Sequence, residues 1–483
     1  MLKGFFKTIK AHSPVTALLF ISIMFIFGGC ASNMTSYYSD LRKVIDKQDY
    51  AAAAKLVDKS KSVYGDKNIL LYYLDYGTVQ HFARNFDQSS KSFESAKNKF
   101  EENYTKSISA GAASMVFNDT ALPYYGEDFE RVYISVFESL NYVLSGEDNE
   151  SVVEARQTDS LFKTFGAQSN YKNFYKDDGF IRYFMGLIYE NAGYLNDAHI
   201  SYYAALKAYK NGVVKIAPPQ DLINDAYNSA LALGFSDRAA EIKSSYPQAV
   251  KKNAPKGYGE CIIIDYNGFI PKKIDNVIEF AFFDIWPYVS QTKIDDEAEA
   301  KEFQTAKSVT LSAFAKDYVK VAFPVYQDIP NEIKNFIVVT DVVADDGRVK
   351  KSYMAQDMSA LAKKVLDDQK AKTYVKTLAR AAVKYVTGKA VSKVVQDSTS
   401  SEGWGALTQI VFNVANSLSE TADKRGWNTL PANILMSRFY LPEGENKITI
   451  KFRNADAEIV EEREFVVNIN SERKNFIYLR SGK

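Results

Sequence analysis

Ile181-Arg182-Tyr183-Phe184-Met185-Gly186-Leu187-Ile188-Tyr189-Glu190-Asn191-Ala192-Gly193-Tyr194-Leu195-Asn196-Asp197-Ala198-His199-Ile200-Ser201-Tyr202-Tyr203-Ala204-Ala205-Leu206-Lys207-Ala208-Tyr209-Lys210 decides how the first half of the chain folds. Its apolar residues return at helical spacing on both sides of Gly193, so it reads as two helices with a turn between them. Gly186 and Ala198 stand twelve positions apart and are small where two helices would cross. Tyr189, Tyr202 and Ala205 are placed to fill the space around that crossing.

Six positions at this fixed spacing resemble a tetratricopeptide repeat, a helix pair that stacks on copies of itself. A second unit runs from about Leu70 to Phe100, with Gly77 and Ser89 at the twelve-residue spacing and Tyr73, Phe86, Phe93 and Ala96 around them. Lys43 to Lys61 reads as the end of an earlier unit. Residues 127–165 form a pair broken at Gly146, and residues 219–246 a last pair begun by Pro218-Pro219 and broken at Gly234. About five helix pairs over residues 36–250 suffice for a solenoid in which neighbours bury one another's faces. The Tyr and Phe stripes are expected to be core.

Composition changes at Lys251-Lys252-Asn253-Ala254-Pro255-Lys256-Gly257, which reads as a linker. Beyond it, short runs rich in β-branched and aromatic residues predict strands near 260–266, 274–283, 318–327, 335–342, 347–354, 433–441, 446–453, 458–469 and 474–480. Ile448, Ile450 and Phe452 alternate with polar residues, as a half-buried strand requires. Regular spacing of such strands argues for an antiparallel β-sandwich-like domain over 257–483. That domain carries a helical insertion at 355–425, with an apolar face from Leu361 to Val386 and a second arm from Leu407 to Leu418. Lys376, Arg380 and Lys384 form a basic stripe on it, either solvated or set against lipid headgroups or a partner.

Lys3, Lys7 and Lys10 precede the apolar run Val15 to Phe27, which is short for a membrane span of about 20 residues. Phe27-Gly28-Gly29-Cys30 resembles the lipobox of bacterial lipoproteins, with Phe where Leu is usual. The expectation is a cleaved signal at residues 1–29 and lipid on Cys30. Ala31 after the Cys implies, by the enterobacterial sorting rule, the outer membrane and its periplasmic face. Cys261 opens the run Cys261-Ile262-Ile263-Ile264 and reads as a small apolar core residue.

The chain has 483 residues, 46% hydrophobic and 25% charged, which is globular composition with room for more than one core. Leaving out Lys3, Lys7 and Lys10 reduces the 60 basic residues to 57 against 59 acidic, a net of −2. That balance gives no footprint for nucleic acid. His81 and His199 lie in separate repeat helices and read as surface or packing residues. Zinc-protease, Cys-x-x-Cys, phosphate-loop and nucleophile-elbow patterns do not occur. The acidic run Asp295-Asp296-Glu297 lacks the spacing of a calcium loop. The expectation is therefore a protein that is not an enzyme, with no cofactor and no metal.

Two blocks are more distinctive. One comprises Asn118-Asp119, Pro123-Tyr124, Gly126 and Glu130, then Leu140-Asn141-Tyr142, Gly146 and Glu154-Ala155-Arg156. It reads either as a loop that locks two repeats together or as one that contacts a ligand. The other is Asp423-Lys424-Arg425-Gly426-Trp427-Asn428-Thr429-Leu430-Pro431-Ala432, followed by Arg438 and Leu441-Pro442-Glu443-Gly444. Together they resemble an uncharacterised family of bacterial lipoproteins that join a tetratricopeptide-like half to a β-rich half. Genes of that family often lie near those for lipoprotein activators of penicillin-binding proteins. The resemblance implies a lipid-anchored scaffold or adaptor for protein partners in the envelope, open to oligomerisation through the helical insertion. A glycan-binding module and a structural subunit of an envelope machine are the alternatives.

Overall fold

Helices come first and strands after in the computed structural model, which describes residues 30–109, 120, 122–167, 175, 177–252, 254–281, 318–344, 347–370, 373, 377 and 422–482. The helices pair in sequence: α1 (Cys30–Asp46) with α2 (Tyr50–Lys59) and the single turn α3 (Lys61–Tyr64), then α4 (Ile69–Phe82) with α5 (Phe86–Ser109). Next come α6 (Asp128–Ser145) with α7 (Asp148–Ala167), α8 (Gly179–Asn191) with α9 (Leu195–Asn211), and α10 (Gln220–Ala232) with α11 (Ser236–Ser245).

The small positions of the repeats sit at tight helix contacts. A Cβ on Gly186 would sit 2.4 Å from the Tyr202 ring, and one on Gly77 would sit 2.7 Å from Phe93. Ser89 Oγ donates to the Gly77 carbonyl at 2.8 Å, and Ala198 is fully buried. Gly146 ends α6 with φ at 79°, a left-handed cap that favours glycine. Asp178 starts α8 by accepting the Ile181 N–H at 3.0 Å.

Ten strands follow among the described residues: β1 (Tyr258–Asn267), β2 (Lys272–Ala281), β3 (Tyr318–Gln327), β4 (Asn335–Ala344), β5 (Gly347–Lys351), β6 (Tyr353–Asp357), β7 (Asn433–Pro442), β8 (Gly444–Arg453), β9 (Ile459–Ile469) and β10 (Asn475–Ser481). They form one sheet of order β10-β1-β7-β6, another of order β5-β4-β8-β9, and a separate β2-β3 ribbon. Three expectations need correcting. The run 347–354 is two strands, because Ser352 turns back on Phe336 with backbone N–H to carbonyl at 2.9 Å, and the chain changes sheets there. The β part is not wholly antiparallel, since β1 and β10 pair in parallel. The last strand takes the free edge of the first, and the connection between them is nearly the whole β part. Finally, the insertion is narrower than 355–425: residues 355–357 belong to β6, residues 422–425 are not helical, and the helix begins at 358.

Alternate residues of β1, β7 and β10 face opposite ways into two cores. Cys261, Ile263, Leu435 and Phe439 meet Phe336, Val338, Ile448, Ile450 and Phe452 of the other sheet. Ile262, Ile264, Tyr266, Met436, Phe476 and Tyr478 instead join the core of the helices. The β10-β1-β7-β6 sheet is therefore a middle layer covered on both faces, which explains the unbroken apolar run at the start of β1.

The segment that leads into the linker, residues 248–252, is held along α10. Gln220, Asn224 and Asn228 lie at successive turns of α10. Gln220 Nε2 donates to the Gln248 carbonyl at 3.2 Å, Asn224 Oδ1 accepts Val250 N–H at 3.1 Å, and Asn228 Oδ1 accepts Lys252 N–H at 3.3 Å. Four helical residues rise about 6 Å and two extended residues span about 6.6 Å, so the two repeats stay in step. Of the insertion, Met358, Leu361, Ala362 and Val365 are buried in the helical core. Residues 1–29, Asn118, Asp119, Asp295 to Glu297, the basic stripe and the second arm lie outside the described residues.

Candidate functional site

The first helix of each later pair (α4, α6, α8 and α10) turns one side toward the middle sheet, and polar residues gather there. His81 and Phe82 of α4 and Phe137 of α6 pack on Tyr266, Phe137 also packs on Trp427, and Phe184 of α8 meets Phe476 edge-on. The two distinctive sequence blocks meet on this seam. Glu130 Oε1 accepts the Trp427 N–H at 2.7 Å, while its Oε2 accepts Tyr124 OH at 2.7 Å and Glu127 N–H at 3.0 Å. Arg425 is held by Asp423 at 2.6 Å and donates to the Leu122 carbonyl at 2.8 Å and to Asn68 at 3.2 Å. The Trp427 indole N–H is shared between Thr78 and Thr429 at 3.0 and 2.9 Å. Thr429 donates to Asp75 at 2.7 Å, and Tyr38 and Tyr64 each donate to its other oxygen at 2.8 Å. Burial, reinforced by Glu127, raises Glu130 to about 7; burial raises Asp75 to about 6 against the pull of its hydrogen bonds. The 122–130 block thus locks the halves together.

Farther along, Arg438 of β7 lies between Asp225 of α10 and Glu260 of β1, and donates also to Tyr183. Lys474 bonds Glu260 at 2.6 Å and Glu190 at 3.2 Å. Burial alone would raise Glu260, but Arg438 and Lys474 hold it well below the usual carboxylate range. Burial raises Asp225, which shares Arg438 with Glu260. Between these clusters Gln356 donates to Tyr133 OH at 2.9 Å and Asp178 at 2.7 Å, and Tyr209 OH donates to the Ala355 carbonyl at 2.7 Å.

A third cluster lies among the helices alone. Glu94, Glu138 and Glu154 bring carboxylate oxygens within 4.8 Å of one another. Lys97 Nζ stands among them at 2.7, 2.8 and 3.0 Å, so an ammonium fills the position a metal ion would take. His81 is fully buried, 2.7 Å from Asn141 Oδ1, and burial lowers it to about 4, which keeps it neutral. His199 is buried 2.9 Å from Ser229. Cys261 is fully buried in the second core. Cys30 is the first residue of α1. A cavity of about 190 Å³ between α1 and the β1–β2 turn, lined by Arg42, Asp46 and Phe269, falls below the range of about 300–1,000 Å³ usual for small-molecule sites.

Sequence reasoning missed Asp75, Gln356, Asp225, Glu260 and Lys474. Two carried a signal: Asp75 interrupts the apolar run Ile69 to Tyr76, and Glu260 directly precedes Cys261. A charge inside an apolar run needs a buried partner.

No protein-family model matches the chain, and no curated protein matches it. Among solved structures it is similar to the MamA protein, at 11% identity over 47% of this chain and all of that one, TM-score 0.27. It is similar also to YrrB, described as a TPR protein with an unusual peptide-binding site, at 14% identity over 44% of this chain and 87% of that one, TM-score 0.25. A third is PilW, a type IV pilus biogenesis factor, at 15% identity over 44% and 90% of the two chains, TM-score 0.22. Likeness at these scores carries no argument about function. The helical half is tetratricopeptide-like on its own contacts, those of Gly77 with Phe93 and Gly186 with Tyr202.

Proposed function

We propose that this chain is a lipid-anchored scaffold of the bacterial envelope, held at the periplasmic face of the outer membrane through Cys30, whose helical array docks protein partners on its outward side. The observation that carries this reading is the occupied inward side. Side chains from four successive first helices are spent on the chain's own sheet and on the Trp427 loop, leaving the second helices of the pairs to face outward. There Ile200 is 57% exposed and Phe235 42% exposed. Tyr203 lies between them, capped by Arg238 at 3.7 Å and Lys207 at 4.3 Å. Aromatic and apolar groups beside arginine suit a protein partner. The two β-sheets, sandwich-like, serve as the platform that keeps the array straight. Envelope or cell-wall assembly is the setting that the family resemblance suggests. Most rings among the described residues lie in the core, which disfavours a glycan groove.

The test is photo-crosslinking in cells from residue 200 or 235, with residue 462 on the β-sheet face as control. A discrete adduct from the first two positions, absent at 462, is expected, and the adduct from 200 should be lost in Phe235→Asp. Equal labelling at all three would overturn the docking reading, and fatty-acid incorporation by Cys30→Ser would overturn the anchor.

A further inference from the structure

We infer that the anchored end of the helical array rests directly on the bilayer, with no flexible tether, so the lipid fixes orientation as well as location. This rests on the reading of Cys30 as the acylated residue. α1 starts at Cys30, and Tyr37, seven residues later, is already buried, as are Tyr38 and Leu41. Seven helical residues rise about 10 Å, and even fully extended they reach only about 25 Å. The folded body therefore cannot stand far from the headgroups.

The helix pairing identifies the surface that meets them. Tyr50, at the start of α2, stacks on Phe82, at the end of α4, with ring centres 5.4 Å apart. The α1–α2 turn therefore shares an end with the close of α4, and the start of α4 shares the opposite end with Cys30. At that end Tyr37 OH meets Tyr64 OH of α3 at 2.8 Å. Lys59, Lys61 and Lys67 are exposed there, interspersed with exposed Asp58 and Asp66, and Tyr73, one turn into α4, is half-buried. Lys61 lies over the Tyr72 ring at 4.8 Å. Tyrosine bodies with lysine heads suit the boundary between acyl chains and water. The occupant of this face is the headgroup layer surrounding the lipid anchor.

The experiment uses the full-length acylated protein in phosphatidylethanolamine–phosphatidylglycerol vesicles containing headgroup spin-labelled lipid. A fluorophore is attached through Lys67→Cys or, at the opposite end in the α1–α2 turn, through Lys47→Cys; native Cys261 is fully buried and does not compete. Quenching at least three-fold stronger at 67 than at 47 is expected, and a 15-residue Gly/Ser insertion after Ala31 should abolish the difference. Equal quenching at both positions with Cys30 acylated, or a difference that survives the insertion, would overturn the orientation. Mass spectrometry of the N-terminal peptide separates the anchor itself: an unacylated Cys30 overturns both readings, an acylated one isolates the orientation.

Discussion

Glu130 and Glu260 are both shut away on the seam between helices and sheet, yet their acidities move in opposite directions. Glu130 faces the backbone N–H of Trp427, a tyrosine hydroxyl and a second backbone N–H, and burial with Glu127 beside it lifts it to about 7. Glu260 lies against Arg438 and Lys474, which hold it far lower despite the same loss of water. Burial sets the penalty, and the charge of the partner decides whether it is overcome. The seam has a neutral-donor joint near α6 and a charge-paired joint near α10.

The largest expected effect comes from breaking the charged joint. Arg438→Met leaves Asp225 and Glu260 buried without their guanidinium and should cost about 3–5 kcal/mol, read as a lower urea midpoint. A midpoint within error of the parent would mean that the joint is relaxed by water and contributes little.

The pH response of the two glutamates should have opposite signs. Glu130 moves from an ordinary 4.5 to about 7, so its stabilising contribution is complete below about 4.5 and is lost as pH rises through about 7. That shift corresponds to roughly 3–3.5 kcal/mol. Glu260, shifted downward, stabilises above its ordinary 4.5 and loses that contribution as pH falls toward its folded value. Stability should therefore fall as pH rises from about 4.5 to about 7, and Glu130→Gln should reduce that slope, to which Asp75 contributes in the same direction, while leaving the acid limb unchanged. An identical slope in the variant would assign the effect to other groups.

Lys97 allows the contrast to be rebuilt with a different cation. Lys97→Ala leaves three facing glutamates and should cost about 1–3 kcal/mol. Millimolar Mn²⁺ or Ca²⁺ should restore part of the melting temperature in the variant and leave the parent unmoved. If the variant gains nothing from either ion, the carboxylates do not keep their geometry once the ammonium is gone.

The smallest effect is expected where neither partner is charged. Asn228→Ala removes bonds at 3.3 Å to both the N–H and the carbonyl of Lys252 and should cost about 0.5–1.5 kcal/mol. Faster amide exchange confined to residues 248–252 would locate the loss on the clamped segment. Unchanged exchange there would show that Ala249, fully buried, holds the segment without the amide ladder.

Much of the fold was legible because it repeats. Gly186 with Ala198 and Gly77 with Ser89 marked helix crossings, and the alternation in β8 marked its inner face. The seam was not legible, because its partners are far apart in the chain: Glu130 and Trp427 are separated by 297 positions. No local period points from one to the other. The parallel β1–β10 pair was hidden for a related reason, since alternation gives a strand's faces but not its neighbour. Ser352 was lost inside a run whose β propensity is continuous on both sides. The sites chosen from sequence fared unevenly. Glu130 and Glu154 stood in a distinctive block and lie in buried clusters, whereas Asp75 passed as part of an apolar helix.

The middle sheet also changes what kind of elastic body the array is. In a free solenoid each repeat touches only its neighbours, so the stack bends like a spring and can fray one unit at a time. Here Phe82, Phe137, Phe184 and Asp225, from four different repeats, all bear on one continuous strip formed by the sheet and the Trp427 loop. That strip acts as a splint: the pitch of the array is fixed, no repeat can unwind without shearing the layer beneath it, and the four should melt in a single step.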